Sequence, residues 1–131
     1  MGDGITKEAL ASGTITPGHL VELTDADADT VKVQAAAKAD CQLAFALEDD
    51  LQGNDIDDNY TAGKRVLYGI FQRGDEVYAI LAAGQTITKG GALESAGAGA
   101  LGAYTNGKKL AVAKESVTTT SAVGRIVVEL L

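Results

Sequence analysis

Two stretches of the chain spell the same short unit. Ser12 to Leu20 reads SGTITPGHL, and Ala83 to Leu93 reads AGQTITKGGAL. Each holds a glycine, an Ile-Thr pair, one residue, a second glycine and then a leucine. Glycine supplies positive φ at a tight turn, and the β-branched pair favours extended backbone. The unit is therefore turn chemistry. Its recurrence predicts a compact all-β scaffold built from similar corners, and by itself it assigns no activity.

The rest of the chain reads as short strands between turns. Leu20 to Leu23 is a short apolar run after Pro17-Gly18. Thr30 to Gln34 alternates, with Val31 and Val33 on one face. Ala35 to Leu51 is ambiguous: Leu43, Leu47 and Leu51 fall at helical spacing, while Cys41, Leu43, Phe45 and Leu47 also alternate. A strand over 41–48 is the preferred reading. Lys64 to Phe71 and Glu76 to Leu81 read as a hairpin joined by Gln72-Arg73-Gly74-Asp75. Its first strand is bulky on both faces, with Val66, Tyr68 and Ile70 on one and Leu67 and Phe71 on the other, which predicts cover on both sides. Ser95 to Gly102 is rich in Gly and Ala and poor in packing groups. Leu110 to Ala113 is a further strand, Val117 to Ser121 a polar link, and Val123 to Leu131 an alternating terminal strand that needs cover in a sheet or at an interface. About eight strands with almost no helix predict a small barrel or a sandwich.

Composition bounds the class. A chain of 131 residues favours one domain, and many of its hydrophobic residues (46%) are Ala, with aromatics at 5% and no Trp. Ala buries little area, so subunit contacts are expected to add to stability. The net charge is −7 and the eleven Lys and Arg are scattered. That balance argues against binding nucleic acid or an anionic membrane surface. No run approaches about 18 apolar residues, and the N-terminal residues do not read as a secretory leader, so none is expected. Cys41 is the only cysteine, so no intrachain disulfide forms.

Several motifs suggest chemistry and are better read as structure. Asp25, Asp27 and Asp29 resemble the start of a calcium loop, but Thr30 and Ala36 stand where that loop needs Gly and Glu. Asp49, Asp50, Asp55, Asp57 and Asp58 read as an exposed acidic loop. His19, the only histidine, has no second ligand or nucleophile beside it in sequence. Arg73-Gly74-Asp75 spells an adhesion tripeptide, yet Gly and Asp belong at a hairpin tip for turn reasons alone. Gly90 to Gly102 lacks the Gly-Lys-Ser/Thr ending of a phosphate loop and reads as a flexible surface loop. Cys41 reads as a small packing residue. No nucleophile, base and oxyanion site assemble, so no enzyme and no cofactor are expected.

Taken in order, these residues resemble the capsid decoration, or cement, proteins of tailed bacteriophages. The pattern comprises Pro17-Gly18-His19-Leu20-Val21, the Leu43-to-Leu47 segment before the acidic loop, and Tyr60-x-x-Gly63-x-x-Val66. It continues with Arg73-Gly74-Asp75-x-Val77-x-Ala79, Gly84-x-x-Ile87-x-x-Gly90 and Ala122-Val123-Gly124-Arg125. The resemblance implies an all-β, tulip-like small barrel over 15–131 with an extended N-terminal arm over 1–14; a jelly-roll sandwich is the alternative. It implies a homotrimer on the outside of the virion head that clamps neighbouring major capsid proteins. A carbohydrate- or host-surface-binding barrel is the alternative function. On this reading Ile5, Thr6 and Leu10 of the arm touch the capsid, and Tyr68, Ile70, Ile126, Val128 and Leu130 form the subunit interface.

Overall fold

A computed structural model of the chain describes residues 5–24, 30–38, 42–47 and 59–131. The Asp25–Asp29 run, Cys41 and the aspartates of the acidic loop lie outside the described residues. Twelve strands and no helix are found among those that are described. The expected small all-β barrel is present.

The N-terminal half contributes β1 (Ile5–Ala11), β2 (Val21–Leu23), β3 (Thr30–Val33), β4 (Ala44–Ala46) and β5 (Arg65–Ile70). They form one sheet in the order β2-β3-β1-β5-β4. The C-terminal half contributes β6 (Glu76–Leu81), β7 (Thr86–Ile87), β8 (Ala92–Gly97), β9 (Ala100–Ala103), β10 (Ala111–Ala113), β11 (Val117–Thr118) and β12 (Gly124–Leu130). Five of these close a barrel in the order β10-β12-β6-β9-β8, and β7 pairs with β11 beside it.

The two halves share one topology. Strand β1 lies between antiparallel β5 and parallel β3, as β6 lies between antiparallel β12 and parallel β9. Strand β2 is antiparallel to β3 as β8 is to β9, and β4 to β5 as β10 to β12. The bridge Ile15↔Tyr60 matches Ile87↔Val117. The N-terminal sheet also rolls until its edges meet. Gly18 N donates to Ala46 O (2.8 Å) and Ala46 N to His19 O (2.9 Å), with Leu20 bridging Phe45. The counterparts in the second half are Gly90 N to Ala113 O (2.8 Å) and Ala113 N to Gly91 O (2.9 Å).

The repeated sequence unit makes the same turn in each half. His19 N donates to Thr16 O (3.0 Å) and Gly91 N to Thr88 O (2.8 Å). The third residue of each turn, Gly18 or Gly90, has φ of +98° or +91°. Positive φ at that position alone is the requirement of a type II turn.

A five-stranded barrel is narrow, so its interior takes small side chains. Ala9, Ala11, Ala44 and Ala46 line the first half with Val21, Val31, Val66 and Tyr68. Ala79, Ala111 and Ala113 line the second with Leu81, Leu93, Leu101, Ile126, Val128 and Leu130. The high Ala content thus fits the bore. Leu20 and Phe45 alternate out of the first half and complete the core of the second. One hydrophobic contact therefore joins the two.

Three expectations are corrected. The strands expected to form a hairpin over 64–81 do not pair. Both edges of β5 are taken by β1 and β4, and both edges of β6 by β12 and β9. The 72–75 turn is instead a corner between the halves, tied to the C-terminal strand by Gly74 N to Leu130 O (2.8 Å) and Leu130 N to Asp75 O (2.9 Å). The stretch read as a flexible loop over 90–102 is largely the β8–β9 hairpin, whose Leu93, Ser95, Ala100 and Leu101 are buried. Residues 5–11 of the expected extended arm form β1, paired with β5 over six positions from Ile5↔Ile70 to Leu10↔Arg65.

Candidate functional site

The residues singled out for function fall in three settings. Ile126, Val128 and Leu130 point into the second barrel with no exposure. They pack the chain's own core, so the subunit interface expected of them is corrected. Alternation puts them inside because β12 is a full member of a closed ring. Tyr68 is buried in the first barrel and Ile70 packs beside it. Ile5, Thr6 and Leu10 lie on β1. Thr6 is exposed, and Leu10 stands on the outer face at 40% exposure.

The seam between the halves is polar and closely fitted. The β8–β9 tip enters it: Leu20 N donates to Gly99 O, and Gly99 N to Gln34 O, both at 2.8 Å. A Cβ at Gly99 would lie 3.0 Å from both the His19 ring and Val33, so only glycine fits without displacement. Buried Ser95 donates its hydroxyl to Gln34 Oε1, and Gln34 Nε2 donates to Ala36 O (2.7 Å). Among the described residues each buried side-chain polar atom has its partner, as low-dielectric interiors demand.

His19 sits at this seam. Its Nδ1 accepts from Thr16 N (2.9 Å), so the ring serves the turn as an acceptor. Burial, and then the charge of Arg125, lowers its pKa below the usual 6.5. Asp75 of the adhesion-like tripeptide is buried, and its Oδ2 accepts from Gln72 N (2.8 Å). Its carboxylate caps the corner.

Glu94 is a second polar centre. It accepts from Gly107 N (2.8 Å), Thr105 N (3.2 Å), Thr105 Oγ1 (3.0 Å) and Lys38 Nζ (3.0 Å). Burial pushes its pKa up. The two amides, the ammonium and the hydroxyl outweigh that and hold it at about 2. The site is an anchor for the 104–108 loop, with its acceptors already spent.

No three His, Cys, Asp or Glu side chains gather as a metal site among the described residues. What remains available is surface. The outer face of β6 and β12 presents Tyr78 (48% exposed) with Arg125 stacked on its ring at 5.5 Å, and Val123 lies nearby. The outer face of β1 and β5 presents Glu8, Leu10 and Arg65, with Arg65 Nη1 2.7 Å from Glu8 Oε1.

The fold has a known counterpart. The crystal structure of the head fiber gp8.5 N base of bacteriophage phi29 is similar, with a TM-score of 0.66 over 98% of this chain and 94% of that one. Identity is 12%, so the likeness is one of fold. No protein-family model and no curated protein matches the chain.

Sequence reasoning noticed one repeated unit and missed the rest of the internal repeat. Leu43-Ala44-Phe45-Ala46-Leu47-Glu48 aligns with Leu110-Ala111-Val112-Ala113-Lys114-Glu115, and Arg65-Val66 with Arg125-Ile126. Those matches were the available signal for a double barrel.

Proposed function

We propose that this chain is a protein of the tailed-phage head exterior. It binds the major capsid protein as a homotrimer and stabilises contacts between capsid subunits. The observation that carries this reading is the fold likeness along nearly the whole length of both chains to a phage head-fibre base. The sequence resemblance to decoration proteins points to the same place on the virion.

The physics suits the role. Many copies on a lattice turn small interfaces into strong retention, because each later contact is intramolecular. A net charge of −7 keeps unassembled copies apart in solution. Leu10, Leu23, Tyr78, Val123 and Leu131 are large apolar groups left exposed on the single chain, and they are the natural contact points for partners.

The test is composition of the head. Purified mature heads, resolved and quantified by mass spectrometry, should contain this chain at a fixed ratio to the major capsid protein. Stripped heads should take it back from solution and resist heat better afterwards. Heads that lack it, or that retain no added protein, would overturn the proposal.

A further inference from the structure

Within one chain, the N-terminal half presents a turn and the C-terminal half receives it. The Thr16–His19 turn lies on the outer face of β6 and β12. Ile80 N donates to Gly18 O (3.2 Å), and Arg125 Nη1 donates to Pro17 O (2.8 Å). A Cβ on Gly18 would lie 2.7 Å from Arg125 Nη1 and 2.9 Å from Tyr78 O. The fit is tight, and under it Ile80 is only 5% exposed.

Each partner in that contact has a counterpart in the other half. The counterpart of the turn is Thr88–Gly91, with the same closing hydrogen bond and the same bonds to the neighbouring strand. The counterpart of the receiving strip is on β1 and β5. Leu10 pairs with Arg65 as Ile80 pairs with Arg125, and Ala9 with Val66 as Ala79 with Ile126. Glu8 stands where Tyr78 stands.

The second turn and the second strip do not meet. Thr88, Lys89 and Gly90 are exposed, and among the described residues no heavy atom comes within 4 Å of a Cβ position on Gly90. Leu10 is 40% exposed against 5% for Ile80. Glu8, Ala9, Leu10 and Arg65 line an open pocket. One interface is thus satisfied inside the chain, and both sides of its duplicate are left open.

We infer that a second copy of this chain completes the duplicate. The Thr88–Gly91 turn of one copy docks on the β1–β5 face of the next, as the Thr16–His19 turn docks within each chain. Arg65 donates to the Lys89 carbonyl as Arg125 does to that of Pro17. A guanidinium has five N–H donors, so Arg65 holds Glu8 at the same time. The Lys89 ammonium lies beside Glu8, where charge complementarity sets the register. Leu10 is covered by the glycine.

The contact is heterologous, with a turn on one copy and a strip on the next, so it propagates until a ring closes. The copy number alone rests on the trimer of the proposed function. Three copies of a chain with two halves of like topology would make a ring of six such halves held by one repeated contact.

Cross-linking distinguishes this arrangement from others. In a Cys41→Ser background, Glu8→Cys and Lys89→Cys are made separately; both side chains are exposed, so both variants fold. A short bismaleimide should link a mixture of the two and neither variant alone. Lys89→Glu should weaken self-association about tenfold, and adding Glu8→Lys should restore it. Equal linking within either single variant, or no linking in a mixture that sediments as a monomer, would overturn the inference. Linked rings that fail to bind phage heads uphold the interface and overturn only the capsid reading. Heads carrying the chain as separate monomers do the reverse.

Discussion

Glu94 shows what one buried carboxylate does for a loop. Four donors from Lys38, Thr105 and Gly107 converge on it, and its pKa of about 2 lies below the 4.5 of a free Glu. A depressed carboxylate stabilises the fold above the unfolded pKa and loses that contribution as pH falls through the folded one. Denaturant midpoints should therefore decline from about pH 4.5 down to about pH 2. Glu94→Gln should flatten that decline and cost about 2 kcal/mol at neutral pH, because buried donors lose a charged acceptor. An unchanged acid limb would remove Glu94 from this role. His19 shares the sign. Its lowered pKa favours the neutral ring, so its contribution is complete above pH 6.5 and fades as the pH falls below that. At Gly18, two separate constraints meet. A left-handed Ala costs about 1–2 kcal/mol through backbone alone. Gly18→Ala adds a clash with Arg125 and the Tyr78 carbonyl, whereas Gly90→Ala meets nothing among the described residues of the single chain. The midpoint shift of Gly18→Ala should thus clearly exceed that of Gly90→Ala in dilute, monomeric protein, with unchanged slope. Equal shifts would mean that the turn does not pack on β6.

At the scale of elements, β4 and β12 illustrate how alternation is used twice. Ala44 and Ala46 face one barrel while Phe45 between them crosses to the other, where it meets Phe71 at 6.2 Å between ring centroids. Strand β4 therefore serves as a shared wall. Phe45→Ala should cost about 3–4 kcal/mol, the usual loss for an aromatic removed from a core. The loss should appear as faster amide exchange in β6 and β12 as well as in β4 and β5. Exchange that quickens only in the N-terminal half would show that the halves are energetically separate. The corner at 72–75 carries the other lesson of this scale. Gln72 to Asp75 has the composition of a hairpin tip, and its local turn is indeed formed, with Asp75 N bonded to Gln72 O at 3.0 Å. The strands leaving it are paired with partners far along the chain, β5 with β1 and β6 with β12 over six register positions each.

For the molecule as a whole, the local features were legible. Alternation located Thr30–Val33, Arg65–Ile70, Glu76–Leu81 and Gly124–Leu130, and the Gly-Ile-Thr units marked two equivalent turns. Interior and interface were not legible in the same way. An alternating Ile126-x-Val128-x-Leu130 looks identical whether it faces a core or a partner subunit, and the closure of β10-β12-β6-β9-β8 decides for the core. The Gly and Ala of 95–102 looked like loop because small side chains bring little burial of their own; they form the β8–β9 hairpin, and Gly97, Gly99 and Gly102 sit where a Cβ would meet a neighbour within 3.0 to 3.2 Å. The exposed faces offered for partners follow from the same cause, since one copy of a repeated contact is spent inside the chain and the other is left on the surface. Turn chemistry and strand periodicity were thus determined by the sequence itself, through interactions among near neighbours. Which strands pair, which apolar rows turn inward and which of two equivalent turns is docked were decided only by the tertiary structure. Those outcomes depend on contacts between residues far apart in sequence and on the curvature at which each sheet closes.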